Sequence, residues 1–157
     1  MLTHAQAVSE FLAGKVIAIV GVSHNPRKGV GCFLLRKFRD AGYRAHPVNP
    51  SAKEIEGVAC FPNLKAIPET IDGILLVTNP KDSLGVVKEC AELGVKRVWF
   101  HRSLGQGSYS KEAEEFCRQN GIGAITIGCP AMYLNADIAH RCFKFFLSMA
   151  GKLKMSV

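Results

Sequence analysis

The feature that most constrains the fold is a series of short apolar segments, each closed by a turn-forming residue and separated from the next by a stretch of helical period. Val16–Val20 contains no polar residue at all. A strand with one solvated face alternates apolar and polar side chains, so an unbroken run asks for cover on both faces, the condition of a strand inside a parallel sheet. Similar segments recur at residues 43–50, 73–80, 95–101 and 122–128, and residues 58–64 form a shorter extended piece after a polar connection.

Between these segments the apolar residues change period. Val8, Phe11 and Leu12 precede the first strand, with Thr3 and Gln6 spaced as a capping box. Val30, Leu34, Phe38 and Ala41 follow it; Leu84, Val87 and Ala91, then Ala113, Phe116 and Cys117, mark two further helices. Gly14, Gly42, Gly94 and Gly121 stand where these helices would stop. Ile138, Cys142, Phe145 and Met149 predict a C-terminal helix at about residues 137–150. The expected fold is an α/β, Rossmann-like, doubly wound and mainly parallel five-stranded sheet with helices on both faces. It is read as a single domain spanning residues 1–157, with no repeat or interior linker.

Composition narrows the partners. No apolar run approaches the ~20 residues of a membrane helix, and the N-terminal segment lacks a basic stretch followed by an apolar core, so a cytoplasmic protein is expected. Six cysteines lie at wide spacings with no C-x-x-C pair, which predicts reduced, buried thiols and no metal site. The net charge of +7 suits an anionic partner, but the cations form no dense run with interleaved aromatics, which argues against nucleic acid.

In a doubly wound sheet ligands bind beyond the carboxyl ends of the strands. After the first strand come Gly21, Val22, Ser23, His24, Asn25, Arg27 and Lys28; after the second, Asn49 and Pro50; after the third, Thr78, Asn79 and Pro80; and after the fourth, His101. A glycine at the first strand end lets backbone approach a ligand, and the following helix offers amides and a favourable dipole to phosphate. The dinucleotide fingerprint G-x-G-x-x-G is absent, since Gly21-Val22-Ser23 lacks the second glycine. The second strand also ends without the carboxylate that reads ribose hydroxyls.

The loop "VGVSHNPRKGVGC", the strand "GYRAHPVNP", the connection "EIEGVACFPNLKAIPETID" and the segment "ELGVKRVWFH" together resemble the CoA-binding domain family. These are small proteins similar to the CoA-binding domain of succinyl-CoA synthetase and of ADP-forming acyl-CoA synthetases, and the resemblance covers nearly the whole chain. It implies coenzyme A or an acyl-CoA as ligand, with the loop from Gly21 to Lys28 near the phosphates. Asn49, Pro50, Thr78, Asn79 and Pro80 would line the nucleotide crevice. Where such proteins often continue after the last strand with Asp-Arg-Cys, this chain has Cys129-Pro130 and then an aromatic tail.

The synthetases that the chain resembles act through a phosphorylated histidine on another domain, and no nucleophile–base pair can be read here. His101 is expected to contact ligand and Cys129 to be a buried thiol, and no catalytic residue is assigned. The expectation is a CoA-binding carrier, sensor or regulatory protein without catalysis of its own. One alternative is an NAD(H)-binding sensor or small oxidoreductase. Another is an interaction module whose C-terminal helix, with Phe143, Phe145, Phe146 and Met149, forms a homodimer seam or docks a partner protein.

Overall fold

The computed structural model describes residues 2–23, 25, 29–102, 105–134, 148, 149 and 151. In chain order the elements are α1 (His4–Ala13), β1 (Val16–Val20), α2 (Val30–Asp40), β2 (Arg44–Val48), β3 (Glu54–Ile55) and β4 (Val58–Ala59), then β5 (Gly73–Leu76), α3 (Pro80–Glu92), β6 (Arg97–Phe100), α4 (Lys111–Gln119) and β7 (Gly123–Ile125). Short 3-10 turns occupy Leu64–Ala66 and Pro130–Met132.

Five strands form one parallel sheet in the order β2-β1-β5-β6-β7. The chain therefore moves one step outward from β1 to β2, then returns past β1 to β5 and proceeds in the other direction. That reversal makes the carboxyl ends of β1 and β5 the switch point of the sheet.

Along β1, Ile17 and Ile19 enter the core beneath α1 and α2, while Ala18 and Val20 enter the core beneath α3 and α4. Both faces are covered, which is why the segment carries no polar residue. On the first face, Phe11 of α1 meets Trp99 of β6 edge to face at 5.3 Å, and Phe38 of α2 meets Tyr43 at 5.1 Å. On the second, Val87 and Cys90 of α3 and Ala113 and Cys117 of α4 pack over Ile74, Leu76, Val98 and Phe100. The five described cysteines are all buried, and none of them forms a disulfide. Desolvation pushes the Cys117 thiol up to about 12 and raises Cys90 further.

The Thr3 box forms as its spacing predicts: Thr3 Oγ1 accepts from the Gln6 amide, and the Gln6 side chain accepts from the Thr3 amide at 2.8 Å. The strands are shorter than their apolar segments. β5 ends at Leu76, β6 begins at Arg97 and ends at Phe100, and β7 ends at Ile125; of the flanking residues Val95, His101 and Gly128 stay buried while Asn79 and Lys96 are exposed. The polar connection after β2 holds an antiparallel hairpin, β3-β4, that the sequence does not announce. Its turn places Glu56 at φ 56 and Gly57 at φ 72, and the Arg36 guanidinium of α2 holds the Glu56 carboxylate at 2.8 Å. The predicted C-terminal helix falls mostly outside the described residues. Ser148 and Met149 are helical, and Met149 is 72% exposed, so it is not a core residue of this chain.

His4 is buried at the start of α1, where its Nε2 lies 3.3 Å from the Tyr133 hydroxyl, and burial lowers its pKa below the ordinary 6.5. The folded chain thus favours neutral imidazole, whereas the unfolded chain takes up a proton as pH falls through 6.5. Stability contributed by His4 is present above that pH and lost below it. The urea midpoint should fall between pH 7.5 and 5.5, and a folded His4→Asn variant should show a smaller fall over the same interval.

Candidate functional site

At the switch point the structure opens a cleft of about 560 Å³. Its floor is the carboxyl end of β1, Val20 and Gly21. One side is formed by Val48 and Pro50 at the end of β2 together with Pro62, Asn63 and Leu64; the other by Val77, Thr78 and Asn79 after β5 and by Asp82, Val86 and Glu89 of α3.

Gly21 has φ +94, and a Cβ there would stand 2.9 Å from the Thr78 amide nitrogen and 2.8 Å from its methyl carbon. The two strand ends can touch only because this residue has no side chain. Gly31 does the equivalent for α2. A Cβ on it would lie 3.0 Å from the Val22 Cα, so the helix start is drawn against the loop that leaves β1.

α2 begins at Gly29, whose φ of +105 suits glycine and which has no side chain to cap the helix. α3 begins after Asn79, whose side chain makes no capping bond, with Pro80 in the first turn. By contrast the side chains of Thr3 and Ser110 cap α1 and α4, each accepting from a first-turn amide. No described side chain caps the first turn of α2, and the helix dipole favours an anion there.

The predicted site residues divide into three sets. Gly21, Pro50, Thr78 and Asn79 line the cleft. Val22, Ser23, Asn25, Asn49, Pro80 and His101 do not line the cleft itself. The Val22 side chain is fully buried, and its carbonyl accepts from Asn49 Nδ2 at 2.7 Å, while Asn49 Oδ1 accepts from the Ser51 amide at 2.8 Å. Asn49 thus ties the loop after β1 to the turn after β2. Ser23 Oγ accepts from the Asn25 amide at 3.1 Å, and Pro80 occupies the first turn of α3. His101 is buried, with its amide donating to the Leu76 carbonyl at 2.9 Å and its carbonyl accepting from Ser108. His24, Arg27 and Lys28 lie outside the described residues.

Sequence reading missed the wall made by Pro62, Asn63 and Leu64. Phe61 runs beside the outer edge of β2, donating to Pro47 and accepting from Asn49 at 3.0 and 2.9 Å, and this carries the next three residues to the cleft. Asn63 caps the following 3-10 turn through Oδ1 to the Ala66 amide, a role its position before Leu64 could have suggested. Asp82, Val86 and Glu89 repeat at helical spacing on the α3 face that meets the cleft; the alternation of polar and apolar there is visible in the sequence only once the start of α3 is known.

Two carboxylates, Asp82 and Glu89, and no lysine or arginine stand among the described residues lining this cleft. The cation-bearing segment, Arg27-Lys28, is joined to the start of α2. Apolar flanks with hydrogen-bond acceptors suit a neutral, donor-bearing ring or arm, and the first turn of α2, which no described side chain caps, suits phosphate.

A parallel, doubly wound sheet with a glycine-floored cleft at its switch point defines the chain as a Rossmann-like protein. It belongs to the family described as CoA binding domain, which matches residues 15–135. The chain is 32% identical over 158 residues to the alpha subunit of ADP-forming acetate–CoA ligase II from Pyrococcus furiosus, covering 91% of this chain and 34% of that one. It is 29% identical over 132 residues to ADP-forming acetate–CoA ligase I from Archaeoglobus fulgidus, covering 80% of this chain and 19% of that one. The chain thus spans about a third or less of the length of these two relatives. Among solved structures, a hypothetical protein from Pyrococcus horikoshii OT3 superposes with a TM-score of 0.76 at 27% identity, covering 85% of this chain and 93% of that one.

Gly21→Ala should be costly on two counts, the positive φ and the contact with Thr78. Urea denaturation should show a loss of about 1–3 kcal/mol, within the range for strained backbone positions. Gly57→Ala shares the positive φ but meets nothing within 4 Å, and should lose less.

Proposed function

We infer that the protein binds coenzyme A or an acyl-CoA in the switch-point cleft and acts as a carrier, sensor or regulatory protein without chemistry of its own. The observation that carries this reading is the division of the site. An apolar cleft edged by Asn63, Thr78, Asp82 and Glu89 stands at the strand end that leads into α2, whose first turn no described side chain caps and which Arg27 and Lys28 precede in the sequence. CoA has the matching division, with a nucleoside rich in donors and ring surface beside a pyrophosphate and a ribose phosphate.

Membership of the CoA binding domain family supports the choice of ligand, as do relatives named acetate–CoA ligases. Arg27 and Lys28 are the proposed phosphate cations, one able to clamp in bidentate fashion and the other a point charge. Because CoA has its 3'-hydroxyl phosphorylated, a carboxylate at the end of β2 would repel it, and Asn49 stands there instead. No helix among the described residues is long and apolar enough to cross a membrane. A single-domain cytoplasmic protein is the setting we propose.

A thermal-shift panel tests the ligand. CoA or acetyl-CoA at about 100 times its dissociation constant should stabilise the fold by ~2.7 kcal/mol, a rise on the order of 5–10 °C for a domain of this size. A rise with NAD(H) alone would replace CoA with a dinucleotide, and no rise with any CoA species would overturn the proposal. Replacing Arg27 and Lys28 together by alanine should weaken CoA binding, with the larger loss at low ionic strength because salt screens partly exposed charges. Unchanged affinity at low salt in a folded double variant would place the phosphates elsewhere.

A further inference from the structure

Behind the cleft wall at Thr78 lie two buried serines, Ser83 and Ser108, and the direction of the Thr78 hydroxyl follows from counting protons. Ser108 is 1% exposed and donates from Oγ to the Leu76 carbonyl at 2.8 Å. Ser83 is 0% exposed and lies 2.7 Å from the main-chain carbonyl of Ser108, which can only accept. The Asn79 carbonyl, 3.4 Å from the same hydroxyl, also only accepts. A serine hydroxyl has one proton. Ser83 therefore meets Thr78 Oγ1, 3.2 Å away, with a lone pair, and the proton in that contact belongs to Thr78.

Thr78 lines the cleft. With its proton turned inward to Ser83, its hydroxyl has only lone pairs left for a ligand. We propose that Ser83, placed behind the wall, is a positioning residue that holds Thr78 as an acceptor. This stretch of the cleft then takes an N–H or O–H of the ligand and turns away phosphate oxygen.

Apart from the side-chain amides of Asn63 and Asn79, the polar side chains of this wall have the same sense. Asp82 and Glu89 bring carboxylates to it, and Glu89 already accepts from the Lys65 amide at 3.1 Å. An ionised phosphate carries no proton and would meet lone pairs and negative charge together. A molecule with phosphates at one part and N–H or O–H groups at another is thereby oriented, its phosphates toward the start of α2. The inference rests on CoA as the ligand and adds which part of it faces Thr78, and why.

Titration calorimetry with CoA on the whole chain tests it. Thr78→Val should weaken binding about five- to tenfold, and Ser83→Ala about threefold, since the freed Thr78 proton can then rotate into the cleft. In the double variant Ser83→Ala should add nothing to Thr78→Val. Thr78→Ser, which keeps the hydroxyl, should bind within about twofold of wild type. Ser108→Ala is the stability control. It removes the bond to Leu76 but leaves the Ser108 carbonyl to receive the Ser83 proton, so it should lower the melting temperature while keeping CoA affinity within about twofold.

A Ser83→Ala loss of equal size in the wild-type and Thr78→Val backgrounds would overturn the positioning role. Full CoA affinity in Thr78→Val would overturn the acceptor role while leaving the CoA reading intact. Wild type that binds no CoA would instead overturn the ligand. Should Ser83→Ala fail to fold, the contrast between Thr78→Val and Thr78→Ser still decides whether the hydroxyl reads the ligand.

Discussion

β1 is hydrogen-bonded along both edges and packed on both faces, and the rest of the molecule is arranged to permit this. Its five residues are all buried, Ile17 and Ile19 under one pair of helices and Ala18 and Val20 under the other. A strand in that position cannot be the edge of anything, so the chain must place β2 on one side of it and β5 on the other. The return from β2 to β5 is what opens a crevice beyond the carboxyl ends. The central burial and the site are therefore one constraint seen from two ends of the same strand.

Close backbone approach at that end has its own requirement. Gly21 lets β1 meet Thr78, and Gly31 brings the start of α2 against Val22. The floor of the cleft and the amides of the helix are set within reach of each other by two missing side chains. Asn49 adds a polar tie, bonding the loop after β1 through Val22 and the turn after β2 through Ser51. Three strand ends are thus held in a fixed relation by short-range contacts, which is the condition for a site that does not have to be ordered by its ligand.

Much of this was legible in the residues. Unbroken apolar residues marked β1 and β5, which are buried throughout, while β2 at the sheet edge keeps Arg44 and His46; Gly42, Gly94 and Gly121 marked helix ends with positive φ, and Gly14 closes α1 at φ −61 instead. The capping pair Thr3 and Gln6 formed as spaced. The rule that ligands sit after parallel strands pointed to Gly21, Pro50, Thr78 and Asn79, and these four line the cleft. The β3-β4 hairpin was not legible. Glu56 is a poor residue for positive φ, and what holds it there is an ion pair with Arg36, twenty positions earlier and on another element.

Taken alone, the sequence determined the class of fold and the strand ends that border the cleft, because the period of apolar residues is a local property and burial enforces it along every element. It also determined the family, through several short segments that are weak singly and specific together. Only the tertiary structure decided the second wall of the cleft, where Phe61 pairs with the edge of β2 and brings Pro62, Asn63 and Leu64 into place. It alone decided the direction of the Thr78 hydroxyl, which depends on Ser83 and on a carbonyl at Ser108 thirty residues away. A hydroxyl in a sequence is donor and acceptor alike; which of the two it offers a ligand is settled by the partner that has already taken its proton.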